Sequence, residues 1–149
     1  MRAVWQRVSE AWVEINDEIV GHIGKGALVL LGVESGDNDT DAAFIAEKCV
    51  NLRVFDDKDG RLNLSLADIG GGLLLVSQFT LCADCRKGRR PSFVKAADPD
   101  NANRLYKLVA DTIRAKGIKV KTGRFQVYMK VHLVNDGPVT LLLDSRKGS

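Results

Sequence analysis

Residues 70–76 constrain the fold most. Three consecutive glycines, Gly70, Gly71 and Gly72, open an uninterrupted apolar run of Leu73, Leu74, Leu75 and Val76. A short apolar stretch with chain breakers at its head suits a strand buried on both faces, and it falls far short of the ~18 residues that cross a bilayer. We expect that strand over residues 73–81. A strand without a polar face needs cover, and two stretches have the helical period to give it. In the first, Ile45, Cys49 and Leu52 recur at i, i+4 and i+7 behind Thr40, whose hydroxyl is placed to cap the helix. The second spans residues 99–116, with Pro99 in its first turn, Leu105, Leu108, Val109, Thr112 and Ile113 facing inward, and Gly117 ending it in a left-handed conformation.

The other apolar segments are short. Residues 3–8 and 11–15 lead through an Asn16-Asp17 turn to residues 18–23, a hairpin pattern. Strands are also expected over residues 27–33, 118–122, 127–134 and 139–143, with Val127, Met129, Val131 and Leu133 alternating toward one side. Strands therefore outnumber helices. The expectation is an α+β domain in which a curved antiparallel or mixed sheet forms a barrel-like body under two covering helices. Residues 1–149 read as a single domain, with residues 146–149 as a tail.

Composition narrows the chemistry. Lys and Arg number 22 against 19 Asp and Glu, so the net charge of +3 excludes a histone-like polycation and any basic feature must be local. Three cysteines are too few for a secreted disulfide scaffold, and the start lacks a continuous apolar leader, so a soluble cytoplasmic protein is expected. Two histidines, His22 and His132, lie outside any zinc or Ser-His-Asp spacing. Asp57, Asp59 and Gly60 imitate part of a calcium loop, but Phe55 and Leu66 occupy its first and last ligand positions. Cys82-Ala83-Asp84-Cys85 lacks both a second ligand pair and a βαβ context. No metal and no cofactor is expected.

Two segments carry polar groups where strands should be apolar. In Ser77-Gln78-Phe79-Thr80-Leu81, strand geometry would put Ser77, Phe79 and Leu81 on one face and Gln78 with Thr80 on the other. In Asn135-Asp136-Gly137-Pro138-Val139-Thr140, Asp-Gly suits a turn and the proline sits awkwardly between strands. From the residues alone, the first is either a strand end bonded to neighbouring backbone or a site, and the second is a connection.

The pair resembles the signature of the D-aminoacyl-tRNA deacylases, also called D-tyrosyl-tRNA deacylases. The likeness continues through Arg2-Ala3-Val4, Gln6-Arg7-Val8, Asn51-Leu52-Arg53, Asn63-Leu64-Ser65, the stretch from Arg86-Lys87-Gly88 to Pro91-Ser92-Phe93, and Thr122-Gly123-Arg124-Phe125. The resemblance implies a homodimeric enzyme that hydrolyses the ester between a D-amino acid, or glycine, and the terminal adenosine of tRNA, while sparing L-aminoacyl-tRNA. It implies that Gly137-Pro138 has a cis peptide and enters the partner subunit's pocket, where its main-chain carbonyls exclude an L side chain. Ser77, Gln78, Phe79 and Thr80 match the catalytic wall and oxyanion region, Arg7 the brace of the Gly-Pro motif, Phe125 the surface against the adenine, and Met129 a pocket residue. The implied partners are D-aminoacyl-tRNA, glycyl-tRNA and a second copy of the chain, with neither membrane nor DNA.

An ester needs only a positioned water, a base and N–H donors for the oxyanion. No histidine lies in either motif, and a threonine hydroxyl is inert without an adjacent base, so Thr80 is not expected to be a covalent nucleophile. The family suggests instead that the 2′-OH of the terminal ribose helps activate water. Arg86, Lys87, Arg89 and Arg90 place four cations in five residues, a loop suited either to tRNA phosphates or to plain solvation. A non-catalytic RNA-binding module is the rival reading. It would keep that loop, but aromatics are only 6% of the chain and show no RNP-like pattern.

Overall fold

The computed structural model describes residues 1–146. Of the expected tail, residues 147–149 lie outside the described residues, whereas Arg146 donates from Nε to Asp37 (3.1 Å) and from Nη2 to the Ser35 carbonyl.

The first two apolar bursts form one strand, β1 (Arg2–Ile15), which turns through Asn16 and Asp17 into antiparallel β2 (Glu18–Ile23). Both turn residues have positive φ, 50° and 66°, the requirement of a two-residue hairpin whose twist matches its strands. The first half of β1 pairs with β3 (Gly26–Gly32), which runs parallel to β6 (Gly72–Ser77), which in turn runs parallel to β7 (Val120–Thr122). Along its opposite edge β1 pairs with β8 (Lys130–Asp144). The mixed sheet curls until β2 meets β7, where Gly21 lies against the Thr122 carbonyl, so the barrel is nearly closed. A small ribbon of β4 (Phe55–Asp56) and β5 (Leu62–Leu64) stands apart.

Two helices cover one face: α1 (Asp39–Asn51) and α3 (Pro99–Ala115). A single turn, α2 (Leu66–Ile69), precedes the glycines. The apolar run at 73–76 is wholly buried, as its lack of a polar face required, and it divides by period 2. Leu73 and Leu75 join the core beneath the helices with Trp5, Val29, Ile45 and Leu105, whereas Leu74 and Val76 join the second core on the other face of the sheet. Each such side chain contributes roughly 2 kcal/mol by leaving water. Along β1, the odd-numbered residues face the helices at Ala3 and Trp5 but the other core from Ala11 onward. Register shifts between Gln6 and Glu10 produce that switch.

The structure corrects four local expectations. Asn38, not Thr40, caps α1, accepting from the N–H of Thr40 (2.9 Å) and Asp41 (3.4 Å) in a capping box, so the chain enters the helix two residues earlier than expected. The buried strand stops at Ser77, and Phe79–Cys82 form a 3₁₀ turn. The strand expected from Val127 begins at Lys130, since Phe125, Gln126 and Val127 form a turn with Gln126 at φ 58°. The two last strands are one, β8, with the Asn135–Thr140 segment as a bulge inside it rather than a connection between strands.

Candidate active site

Ser77 closes β6 opposite Leu31. The Gln78 N–H still donates to the Leu31 carbonyl (2.8 Å), and there the chain leaves the sheet. It can fold flat over the end of β3 because residue 32 is glycine: a Cβ there would stand 3.0 Å from both the Gln78 carbonyl oxygen and Leu81 Cβ. The far end of the turn is held by the Cys82 thiol on the Val33 carbonyl (3.5 Å). The first N–H groups of a helix have no intrahelical acceptor, and here no side chain caps the start of the turn.

This turn defeats strand alternation. Ser77, Gln78 and Phe79 all line one cleft of ≈ 580 Å³. Ala96, Ala97 and Pro99 form another wall, and Phe125, Gln126 and Met129 close it. Phe125 leans on Tyr106 at 6.2 Å, and the Met129 sulfur sits where a Cβ on residue 123 would be, so Gly123 admits it. Among the described residues that line the cleft, none is an acid, a base or a cysteine. Thr80 is exposed and does not line it; its hydroxyl oxygen accepts from the Gln78 amide, a donor that cannot take a proton from it.

The second motif forms a separate structure. Asn135 stands opposite Val8 and Thr140 opposite Gln6, so residues 136–139 bulge out against the single residue Arg7. The nearly buried Arg7 donates from Nε to the Asp136 carbonyl (2.7 Å) and from Nη1 to the Val54 carbonyl (2.9 Å), with Asp56 at 3.6 Å. Asn135 clamps the bulge from inside: its Oδ1 accepts from the Val139 N–H (2.8 Å), and its Nδ2 donates to the Val139 carbonyl (3.2 Å) and Thr140 Oγ1 (3.0 Å). The Gly137-Pro138 peptide is cis. Gly137 has φ +146°, and a Cβ there would meet Val139 Cγ2 at 2.9 Å and Arg7 Nη2 at 3.0 Å, so glycine is required twice over.

The structure thus gathers Ser77, Gln78, Phe79, Phe125 and Met129 in one place and Arg7, Gly137 and Pro138 in another. Gly137 and Pro138 are exposed and do not line the cleft of their own chain. Ala96 and Ala97 are cleft residues that sequence reading missed; the only signal was the small pair just ahead of the Asp98-Pro99 helix start.

Beyond the 3₁₀ turn, Asp84 and Ser92 exchange backbone bonds (2.8 and 2.9 Å) and close a loop that carries the four cations. Arg86 chelates Asp84 at 2.9 and 2.7 Å, which holds that carboxyl well below the usual range. Lys87, Arg89 and Arg90 are exposed. Burial, with Glu34 nearby, pushes the Cys82 thiol up to about 11, so it remains protonated at neutral pH, while Cys85 is exposed. Among the described residues no three His, Cys, Asp or Glu side chains gather as metal ligands.

Comparison with known proteins places first the fold, then the family. The architecture matches a solved structure described as "a probable eukaryotic D-amino acid tRNA deacylase" with a TM-score of 0.80 over 95% of this chain and 97% of the other, at 18% identity, a likeness of fold alone. The family model for D-Tyr-tRNA(Tyr) deacylase matches residues 4–144, and the chain belongs to that family. It is 61% identical over 147 residues to the D-aminoacyl-tRNA deacylase of Syntrophotalea carbinolica, covering 99% of each chain. It also superposes on the c-Myc DNA Unwinding Element Binding Protein with a TM-score of 0.91 and 38% identity, covering 97% and 98% of the two chains.

Proposed function

We propose that this protein hydrolyses the ester bond of D-aminoacyl-tRNA, and of glycyl-tRNA, releasing the amino acid and intact tRNA in the cytoplasm. The observation that carries the reading is the cleft itself. Beside it lies the uncapped start of the 3₁₀ turn, and its walls carry hydroxyl and amide groups from Ser77 and Gln78 but, among the described residues, no ionisable side chain. Such a site stabilises charge on an oxyanion yet supplies no base. The base function then falls to the substrate. Water attacks the carbonyl carbon and passes its proton to the 2′-oxygen of the terminal ribose as the 2′-OH hands its own proton to the 3′-oxygen, while the developing oxyanion accepts from the Phe79 and Thr80 N–H groups. The bond to the 3′-oxygen then breaks, and that oxygen leaves protonated. Phe125 offers its ring to the adenine, and Met129 lines the floor.

Selection against L-aminoacyl groups is proposed to come from a second copy of the chain. Its Gly137-Pro138 bulge enters this cleft and presents main-chain carbonyls where an L side chain would project. Two features support the arrangement: the bulge is exposed and braced at both ends by Arg7 and Asn135, and β8, which among the described residues pairs with β1 alone, carries exposed Val134 and Leu142. The partners are therefore tRNA and a second copy of the chain, with the basic loop on RNA phosphates rather than on DNA.

The alternative, an RNA-binding module without chemistry, keeps the loop but gives no role to the uncapped turn. The two separate on a substrate series. At trace enzyme, D-tyrosyl-tRNA should turn over many times, and D-tyrosyl-tRNA ending in 2′-deoxyadenosine should be cleaved at least about 100-fold more slowly, the upper part of the range that one acid–base catalyst supplies being ~10²–10⁴. Stoichiometric binding without turnover would favour the module. Equal cleavage of both substrates would remove the 2′-OH from the mechanism.

A further inference from the structure

We propose that Phe93 is the stacking platform for the nucleotide next to the terminal adenosine, and that Lys87, Arg89 and Arg90 bind the phosphates flanking it; this rests on the reading of the cleft as the site of the aminoacyl end. Phe79 and Phe93 are large rings left 56% and 38% exposed, with centroids 5.1 Å apart and planes tilted by 57°. Phe79 lines the cleft and Phe93 does not. Phe93 therefore stands one ring beyond the mouth, where the chain of a nucleic acid would emerge once its last residue is seated.

The basic loop is tied to the same spot. The Asp84–Ser92 bridge closes it one residue before Phe93, whose carbonyl accepts from the Ala96 N–H (3.0 Å), and the Lys95 carbonyl accepts from the Ser35 N–H (2.8 Å). Both ends of the loop are thereby fixed next to the ring. Arg86 is already neutralised by Asp84, whereas Lys87, Arg89 and Arg90 are exposed and make no ion pair among the described residues. An exposed aromatic face beside unpaired cations is the combination by which single-stranded nucleic acid is held: bases stack, and the backbone lies along the charge. A second copy of the chain could also cover these rings, but three unpaired cations at the rim favour an anionic occupant.

The test uses a CCA-ending RNA oligonucleotide with a fluorescent cytosine analogue at its penultimate position, alongside cleavage of D-tyrosyl-adenosine and D-tyrosyl-tRNA. The intact protein should quench the analogue. Phe93→Leu should abolish the quench and weaken tRNA binding about tenfold, within the range set by the loss of one stacking contact, yet cleave D-tyrosyl-adenosine within about twofold of the original rate. Phe93→Tyr should retain the quench. The proposal is overturned if Phe93→Leu still quenches, if it slows both substrates equally so that the ring merely props Phe79, or if it changes the mass of the species in solution so that the ring belongs to a contact between copies. Failure of the intact protein to cleave either substrate would sink the functional reading instead, and the quench would still decide this one.

Discussion

Arg7 Nε lies 2.7 Å from the Asp136 carbonyl oxygen while Nη1 of the same guanidinium holds the Val54 carbonyl, so one nearly buried cation ties the bulge of β8 to the chain just before β4. Carbonyls at both ends of a planar fork fix its orientation as well as its position. Replacement by lysine keeps the charge but not the fork. Arg7→Lys should fold and lose about 1–3 kcal/mol, and Arg7→Ala about 3–5 kcal/mol, because the buried bond to the Val54 carbonyl and the part-buried bond to the Asp136 carbonyl both lose their donor. Both should let L-tyrosyl-tRNA be cleaved more readily relative to the D form. Denaturant midpoints and the ratio of the two cleavage rates check this; unchanged discrimination in a folded Arg7→Lys would mean that the brace has no part in selection.

Thr80 is expected to be dispensable. Its oxygen accepts from Gln78, it is exposed, and no base stands beside it. Thr80→Ala should retain activity within about tenfold, less than the ~10²–10⁴ that a lost catalytic group costs. A folded but inactive variant, or an acyl-enzyme trapped on the wild-type threonine, would restore the covalent route.

Much of this was legible in the residues. The apolar run at 73–76, the two helix periods, Pro99 and Gly117 at the ends of α3, and the Asn16-Asp17 hairpin all read correctly, because each is local or follows from burial on a face. The site was harder. Alternation failed at Phe79 because the departure from the sheet depends on Gly32, 47 positions earlier and on another strand. The bulge read as a connection because its stabilising partner, Arg7, is 129 positions away. Such pairings leave no periodic trace, and only resemblance to a family pointed at Arg7 and Phe125.

Asp37 carries a second buried network. Its fully buried carboxylate meets the Met1 ammonium at 2.8 Å, the Glu34 N–H at 2.6 Å and Arg146 Nε at 3.1 Å. Asp37→Asn leaves the ammonium buried without its counter-charge and should cost about 3–5 kcal/mol, whereas Arg146→Ala, on a half-exposed arginine, should cost less than about 1 kcal/mol. Urea midpoints measure both. Equal costs would show that the ammonium is not the partner that matters.

Stability should fall in alkali. Burial pushes Cys49 to about 12 from 9.0 and Tyr106 to about 12 from 10.0, and burial with nearby Glu34 pushes Cys82 to about 11 from 9.0. Between pH 9 and about 12 the unfolded chain has released protons that the folded chain still holds, so unfolding becomes easier as pH rises. Tyr106→Phe should flatten the part of the decline above pH 10 and leave the thiol part. Parallel declines in the two proteins would place the phenol in water, contrary to its bond with the Leu75 carbonyl.

The central claim is that the cleft accepts one hand of aminoacyl-tRNA. The most direct measurement follows release of labelled tyrosine from D-tyrosyl- and L-tyrosyl-tRNA in parallel at the same trace enzyme concentration. The account predicts complete loss of the D substrate over a time in which the L substrate decays no faster than without enzyme. Equal rates for the two enantiomers would contradict it.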